Sequence, residues 1–136
     1  HLPGANVKQG DVRNLGQTFP KTTIDAIVTE PYLGPSRFSE RKNLDAVMDK
    51  LKALYRETFA STKKMLSSHG RIVFIFPIFA QNNELRFLPI LPIIEHLGFS
   101  LQRFQLPSIY PTTDRGTLIY GRPGQQVLRE ITVWKK

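Results

Sequence analysis

The sequence predicts an α/β fold, and three observations carry that prediction. Short β-branched runs end at prolines or glycines, one long amphipathic stretch lies between two of them, and one run is apolar without a break. Taken in order, Ala5 to Val12 reads as a strand closing on Gly10-Asp11-Val12. Ile24 to Thr29 is a β-branched strand that stops before Pro31, a residue with no ladder donor. Asn43 can cap a helix running to about Leu66, with Leu44, Val47, Leu51, Leu54, Tyr55 and Phe59 on one stripe. Gly70 breaks the chain. Arg71 to Phe76 then has the pattern of a strand covered on both faces, ending at Pro77. A proline-interrupted helix is expected from about Asn83 to Leu97, stopped by Gly98. Phe99 to Leu106 reads as a strand. Thr117–Tyr120 and Val127–Trp134, joined by Gly121-Arg122-Pro123-Gly124, read as a hairpin.

The 136 residues suit one domain. There are no cysteines, which excludes disulfides and thiolate metal sites and fits a cytoplasmic location. No apolar run reaches the roughly 20 residues needed to span a bilayer, so no membrane partner is expected. The formal charge of +8 favours polyanionic partners, although many basic proteins bind no nucleic acid. His69 precedes Gly70 and His96 lies near Gly98, each at an expected helix end where carbonyls can engage it. Neither has neighbours at metal-ligand spacing, so no metal is expected.

In open parallel sheets, ligands bind beyond the carboxyl ends of the strands. Two such ends carry polar groups. Thr29-Glu30-Pro31-Tyr32 brings a hydroxyl, an acid, a rigid turn and an aromatic into one loop. Methyl transfer to an exocyclic amine needs acceptors for the N–H groups, a face to stack the base, and an outlet for a proton. A Pro-Tyr pair alone is more often a plain strand exit. Gly10-Asp11-Val12 offers a carboxylate and a backbone N–H suited to an adenine edge, though Gly-Asp is also a common turn. Arg37, Arg41 and Lys42 follow the first motif and can guide phosphates toward Tyr32, as can Arg122 and Arg129, although such residues more often belong to a merely solvated loop.

The two motifs in this order resemble class I S-adenosylmethionine-dependent methyltransferases, in the RNA/DNA amino-methylase branch. The likeness is greatest to the catalytic domain of THUMP-associated tRNA guanine-N2 methyltransferases, which show Gly-Asp-Ala/Val and then Asp-X-Ile-Val-Thr-Asp-Pro-Pro-Tyr-Gly. It continues through the long helix, the Gly70-Arg71-Ile72-Val73 strand and Leu128–Val133. The resemblance implies a Rossmann-like class I methyltransferase sheet, C-terminal half (strands 3/4 to 7), mostly parallel with an antiparallel terminal hairpin. It implies S-adenosyl-L-methionine as cofactor, held by Asp11 and Val12. Catalysis would fall to Thr29, Glu30, Pro31 and Tyr32, and nucleic-acid binding to Arg37, Arg41 and Lys42. Either Thr29 or Glu30 takes the motif's first place, and one proline stands where the family has two. The substrate implied is an exocyclic base amine, guanine N2 of tRNA first, with DNA adenine or cytosine as the alternative. A non-catalytic binding module with a degenerate methylase fold is the third reading.

Such enzymes also carry a Gly-rich turn, and no Gly-X-Gly occurs in this chain. That turn is expected before residue 1. Residues 1–136 then form a partial catalytic domain, inactive alone, with an exposed sheet edge that invites a homodimer or strand exchange.

Overall fold

The computed structural model describes residues 4–5, 7–35 and 43–136. Its elements are α1 (Leu15–Thr18), β1 (Ile24–Thr29), α2 (Leu44–Lys63), β2 (Leu66–Gln81), β3 (Glu84–Phe87), α3 (Leu91–His96), β4 (Ser100–Leu101), β5 (Leu118–Tyr120) and β6 (Val127–Lys135). The six strands form one sheet in the order β1-β2-β6-β4, with β3 added to β2 and β5 to β6. β1 and β2 are parallel. β6 runs antiparallel to both β2 and β4, so β1, β2 and β4 point the same way. The expected terminal hairpin forms, with Leu118 opposite Ile131 and Tyr120 opposite Arg129.

α2 forms as its pattern predicts. The Asn43 side chain accepts a hydrogen bond from the Ala46 N–H at 3.0 Å, satisfying a first-turn donor. The helix buries Leu44, Met48, Leu51, Tyr55 and Phe59 against the sheet. Phe59 is the hub of an aromatic core, with ring centroids 5.0 Å from Phe74, 5.2 Å from Phe99 and 5.8 Å from Trp134. Edge-on geometries to Phe99 and Trp134 bring positive ring edges to a negative ring face. Trp134 is core, and its Nε1–H donates to Thr132 Oγ1 at 2.8 Å, which removes the cost of burying that donor.

Several expectations are corrected. Residues 7–10 have no regular structure. Asp11 instead caps a 3-10 turn, Val12–Asn14, because its carboxylate takes the Arg13 N–H that a strand would use in a ladder. Gly70 lies within β2 rather than before it, where a side chain would strike Leu66 Cγ at 2.4 Å. Here β1 pairing jumps from Ile24–Leu66 to Ala26–Arg71. His69 is therefore in a strand, whereas His96 does end a helix, its Nδ1 lying 2.7 Å from the Pro92 carbonyl.

Pro77 also lies inside β2, opposite Arg129. The Ala80 N–H donates to the Gln126 carbonyl, so even-numbered residues of β2 direct their N–H toward β6 and Pro77 directs its nitrogen away. On that other side, β1 pairing ends at Phe74 and β3 pairing begins at Ile78. Proline occupies the gap where no donor is needed.

The expected helix over 83–97 divides into β3, a turn and the shorter α3. Asn82 and Asn83, at φ +52° and +61°, make a two-residue hairpin turn between Gln81 and Glu84. Pro92 sits in the first turn of α3, where its missing donor costs nothing. Gly98 ends α3 as expected, at φ +89°. The strand expected over 99–106 shrinks to Ser100–Leu101. Gln102 still donates to the Val133 carbonyl, but the chain then turns off through Phe104, which donates to Gly116.

Over residues 72–76, β2 is covered on one face among the described residues: Ile72, Phe74 and Phe76 are buried in the core with α2, and Val73 and Ile75 face the other way and remain partly exposed. Beyond Pro77, Ile78 and Phe79 are both buried. Among the described residues, no helix is long and apolar enough to cross a membrane.

Candidate functional site

The β1 exit places Thr29 and Glu30 on opposite faces of the sheet. Thr29 pairs with Phe74 and shares the α2 face. There it lines an apolar cleft of about 300 Å³ with Val12, Leu15, Ile27, Thr58 and Phe59. The two sequence motifs therefore do meet, through Val12 and Thr29. The Thr58 hydroxyl donates to the Leu54 carbonyl and the Thr62 hydroxyl to Phe59, so the helix wall presents little free polarity.

Glu30 reaches the other face. Its carboxylate accepts two hydrogen bonds from Arg129 of β6, Nε to Oε2 and Nη2 to Oε1, each 2.8 Å. This fork holds the Glu30 carboxyl below the usual range, and raises the Arg129 guanidinium in turn. Around the pair lies a polar pocket of about 450 Å³, lined by Glu30, Tyr120, Arg122, Gln125 and Arg129.

Pro31 leads to Tyr32, a residue 63% exposed. Its backbone is fixed from below. The fully buried Tyr55 donates its hydroxyl to the Tyr32 carbonyl at 2.6 Å. Burial pushes the Tyr55 phenol well above its ordinary range, so it stays a donor. Gly34 follows at φ +92°, with Leu51 Cδ1 and Phe79 Cζ within 3.4 Å of where a Cβ would stand. The loop is thus seated on α2 and β2 immediately after the motif.

Asp11 does not join this cluster. Arg13 takes both of its oxygens, with Nε at 3.0 Å from each, and lowers its carboxyl to about 2. Arg37, Arg41 and Lys42 lie outside the described residues. Arg129 and Tyr120 complete the motif's surroundings. Only register links them to Glu30, 99 positions from Arg129 along the chain, and no local pattern reveals it.

A second polar group is buried under the hairpin. Glu130 is inaccessible to solvent; its Oε1 accepts from Thr117 Oγ1 at 2.7 Å and lies 3.4 Å from Arg115 Nε. Its Oε2 has no hydrogen-bond partner among the described residues. Desolvation raises this carboxyl above its usual range.

No family model matches the sequence, and no curated protein matches it. Solved structures do. TrmN from Thermus thermophilus aligns over 95% of this chain at a TM-score of 0.53 and 16% identity. TTHA0409, also from Thermus thermophilus and described as a proposed DNA modification methylase, aligns over 93% at a TM-score of 0.48 and 22% identity. One of its structures is a complex with S-adenosyl-L-methionine. The chain spans 27% of the TrmN chain and 50% of the TTHA0409 chain. At these identities the likeness speaks to fold alone: the chain shares the α/β fold of TrmN. Where the resemblance implies a mostly parallel sheet, the described strands make one parallel pair and four antiparallel pairs, because β6 runs against β2, β4 and β5 and β3 folds back on β2.

Proposed function

We propose that this chain is the acceptor-side part of an S-adenosyl-L-methionine-dependent methyltransferase acting on an exocyclic amine of a nucleic-acid base, guanine N2 of tRNA first. The observation that carries this is the β1 exit. A hydroxyl-bearing Thr29 on the cleft side, an oriented Glu30 carboxylate on the opposite side and an exposed Tyr32 follow one another where the β1–β2 parallel pair ends. The shared fold with TrmN and the +8 charge agree with it.

In this reading Tyr32 stacks the base and Glu30 accepts an amine N–H. The Arg129 fork leaves each carboxylate oxygen a second lone pair for that bond. In the transfer the amine nitrogen would form the new bond to the methyl carbon as the carbon–sulfur bond of the sulfonium breaks and leaves a neutral thioether. The amine would then lose a proton, which Glu30 can receive. The cofactor supplies an electrophilic methyl group. The residues present fit one edge of it: the Val12 backbone and the apolar cleft suit an adenine ring, and Asp11, already paired with Arg13, retains lone pairs for its amino group. They include no glycine-rich turn, so residues 1–136 are proposed as a partial catalytic domain. A cytoplasmic location and self-association through β1 belong to the same reading.

The test is made on the longest polypeptide that contains this sequence. Calorimetric binding of S-adenosyl-L-methionine and transfer of a labelled methyl group to bulk tRNA are expected, with less to DNA. Preferential labelling of DNA would move the substrate to an adenine or cytosine amine. Absence of both binding and transfer would leave the non-catalytic module, which the arginine-capped Asp11 and Glu30 also suit.

A further inference from the structure

We propose that the pocket formed by Glu30, Tyr120, Arg122, Gln125 and Arg129 holds a phosphodiester of the bound nucleic-acid strand, with Arg122 as its charged contact. The inference rests on the nucleic-acid reading and names where the backbone is held. Three features lead to it.

The first is charge. Glu30 and Arg129 neutralise one another through their fork, which leaves Arg122 as the uncompensated charge on the pocket wall. Its guanidinium has no hydrogen-bond or ion-pair partner among the described residues.

The second is the balance of donors and acceptors. Glu30 is the one carboxylate in the wall, and its charge is already balanced by Arg129. The Gln125 side-chain oxygen is taken by the Arg122 N–H at 3.0 Å, which leaves the amide NH2 without a partner among the described residues. Arg122, the Gln125 amide, the Tyr120 hydroxyl and the remaining Arg129 N–H are all donors. A donor-rich, acceptor-poor pocket suits phosphate oxygens, and arginine is the residue best shaped to grip them.

The third is rigidity and position. The hairpin turn is closed by Arg122–Gln125 hydrogen bonds in both directions, the return one being Gln125 N–H to Arg122 O at 3.1 Å. Of the flanking strands, β6 is in register with β2 and β5 with β6. Arg122 is therefore held beside Glu30, on the hairpin side of the β1 exit. A backbone phosphate there lies beside Glu30, within the same Thr29–Tyr32 motif. Phosphate contacts fix register rather than read sequence, which is the role this arrangement fits.

The experiment measures binding of a labelled single-stranded RNA to the 136-residue chain by fluorescence anisotropy at several salt concentrations. Arg122→Gln is compared with Lys135→Gln, the same charge change roughly 20 Å away along β6. Arg122→Gln is expected to weaken binding several-fold and to reduce the salt slope by about 0.7, one phosphate contact on a single strand. Lys135→Gln is expected to leave the slope unchanged. Gln125→Ala keeps the charge but loosens the turn, and an intermediate loss is expected; it serves if Arg122→Gln melts early. Equal effects of the two charge changes, or no RNA binding by the parent chain, overturn the proposal. Competition by millimolar inorganic phosphate as strong as by RNA also overturns it, because the pocket would then be a free-anion site. Methyl transfer to tRNA is a separate readout, so the pocket can fail while the methyltransferase reading stands.

Discussion

Arg129 holds Glu30 with two 2.8 Å hydrogen bonds across 99 positions of sequence, tying the β1 exit to the terminal hairpin. A lysine can replace the charge but not the fork. Arg129→Lys should therefore let the Glu30 carboxyl rise back toward 4.5. The pair is solvent-screened, so its contribution is about 1 kcal/mol at most. The sign follows from the lowered carboxyl. Its stabilisation is full above 4.5 and is lost as pH falls through the folded-state value. The variant should be less stable than the parent at neutral pH and equal to it in strong acid. Side-chain carboxyl titration by NMR, with denaturation at both pH values, checks this; an unmoved Glu30 titration would overturn it.

Tyr55 supports the same loop from the opposite side, through the Tyr32 carbonyl. Tyr55→Phe leaves the ring packing on Phe74 and Phe76 and removes only the hydroxyl. A loss of about 1 kcal/mol is expected for one neutral hydrogen bond. The local consequence should be larger than the global one. Amide exchange at Leu33 and Gly34 should quicken while exchange in β2 barely changes. Uniform quickening would mean that the hydroxyl serves the core rather than the motif.

Phe59 touches Phe74, Phe99 and Trp134 and has no exposed surface. Phe59→Ala removes the hub and leaves a cavity beside the apolar cleft, at a cost of about 3–5 kcal/mol. That is a large part of the stability of a domain this size. The expected result is loss of cooperative melting; a transition shifted by only a few degrees would show that the core closes around the gap.

Much of this architecture was legible in the sequence. The 3.6-residue stripe and Asn43 marked α2, and alternation around Gly121–Gly124 marked the hairpin, because those signals are local. Pro77 misled because whether proline ends a strand depends on what lies beside it, and here β1 stops and β3 starts around it. The Asn82-Asn83 turn was a readable signal, obscured by the helical spacing of Leu88, Leu91 and Ile94 beyond it. The motif itself was visible. Its two-sided character was not: the alternation that sends Thr29 to the cleft and Glu30 to Arg129 depends on register with β2 and β6.

Glu130 predicts the opposite pH behaviour to Glu30. Its carboxyl is raised by burial, so its folded form prefers the proton. Stability from this group is full below 4.5 and is lost as pH rises through the folded-state value. Glu130→Gln keeps the shape of the protonated acid and its place beside Thr117. The parent should lose ground to the variant steadily as pH rises above 4.5, in paired thermal melts. A constant difference across pH would show that Arg115 fully compensates the charge.

β1 is the outermost strand of the sheet, with one paired edge among the described residues. Of its six residues only Asp25 is charged, and Val28 is 78% exposed on the face that no helix covers among the described residues. Natural sheets guard such edges with lysines, prolines or bulges, since free N–H and C=O groups can recruit another strand. The chain should therefore self-associate as its concentration rises. Val28→Lys places a charge on the exposed face without touching the α2 side, and should shift the population toward monomer while leaving the circular dichroism spectrum unchanged. Light scattering across a concentration range decides it. A parent chain that stays monomeric throughout would show that the β1 edge is protected by something other than a second copy.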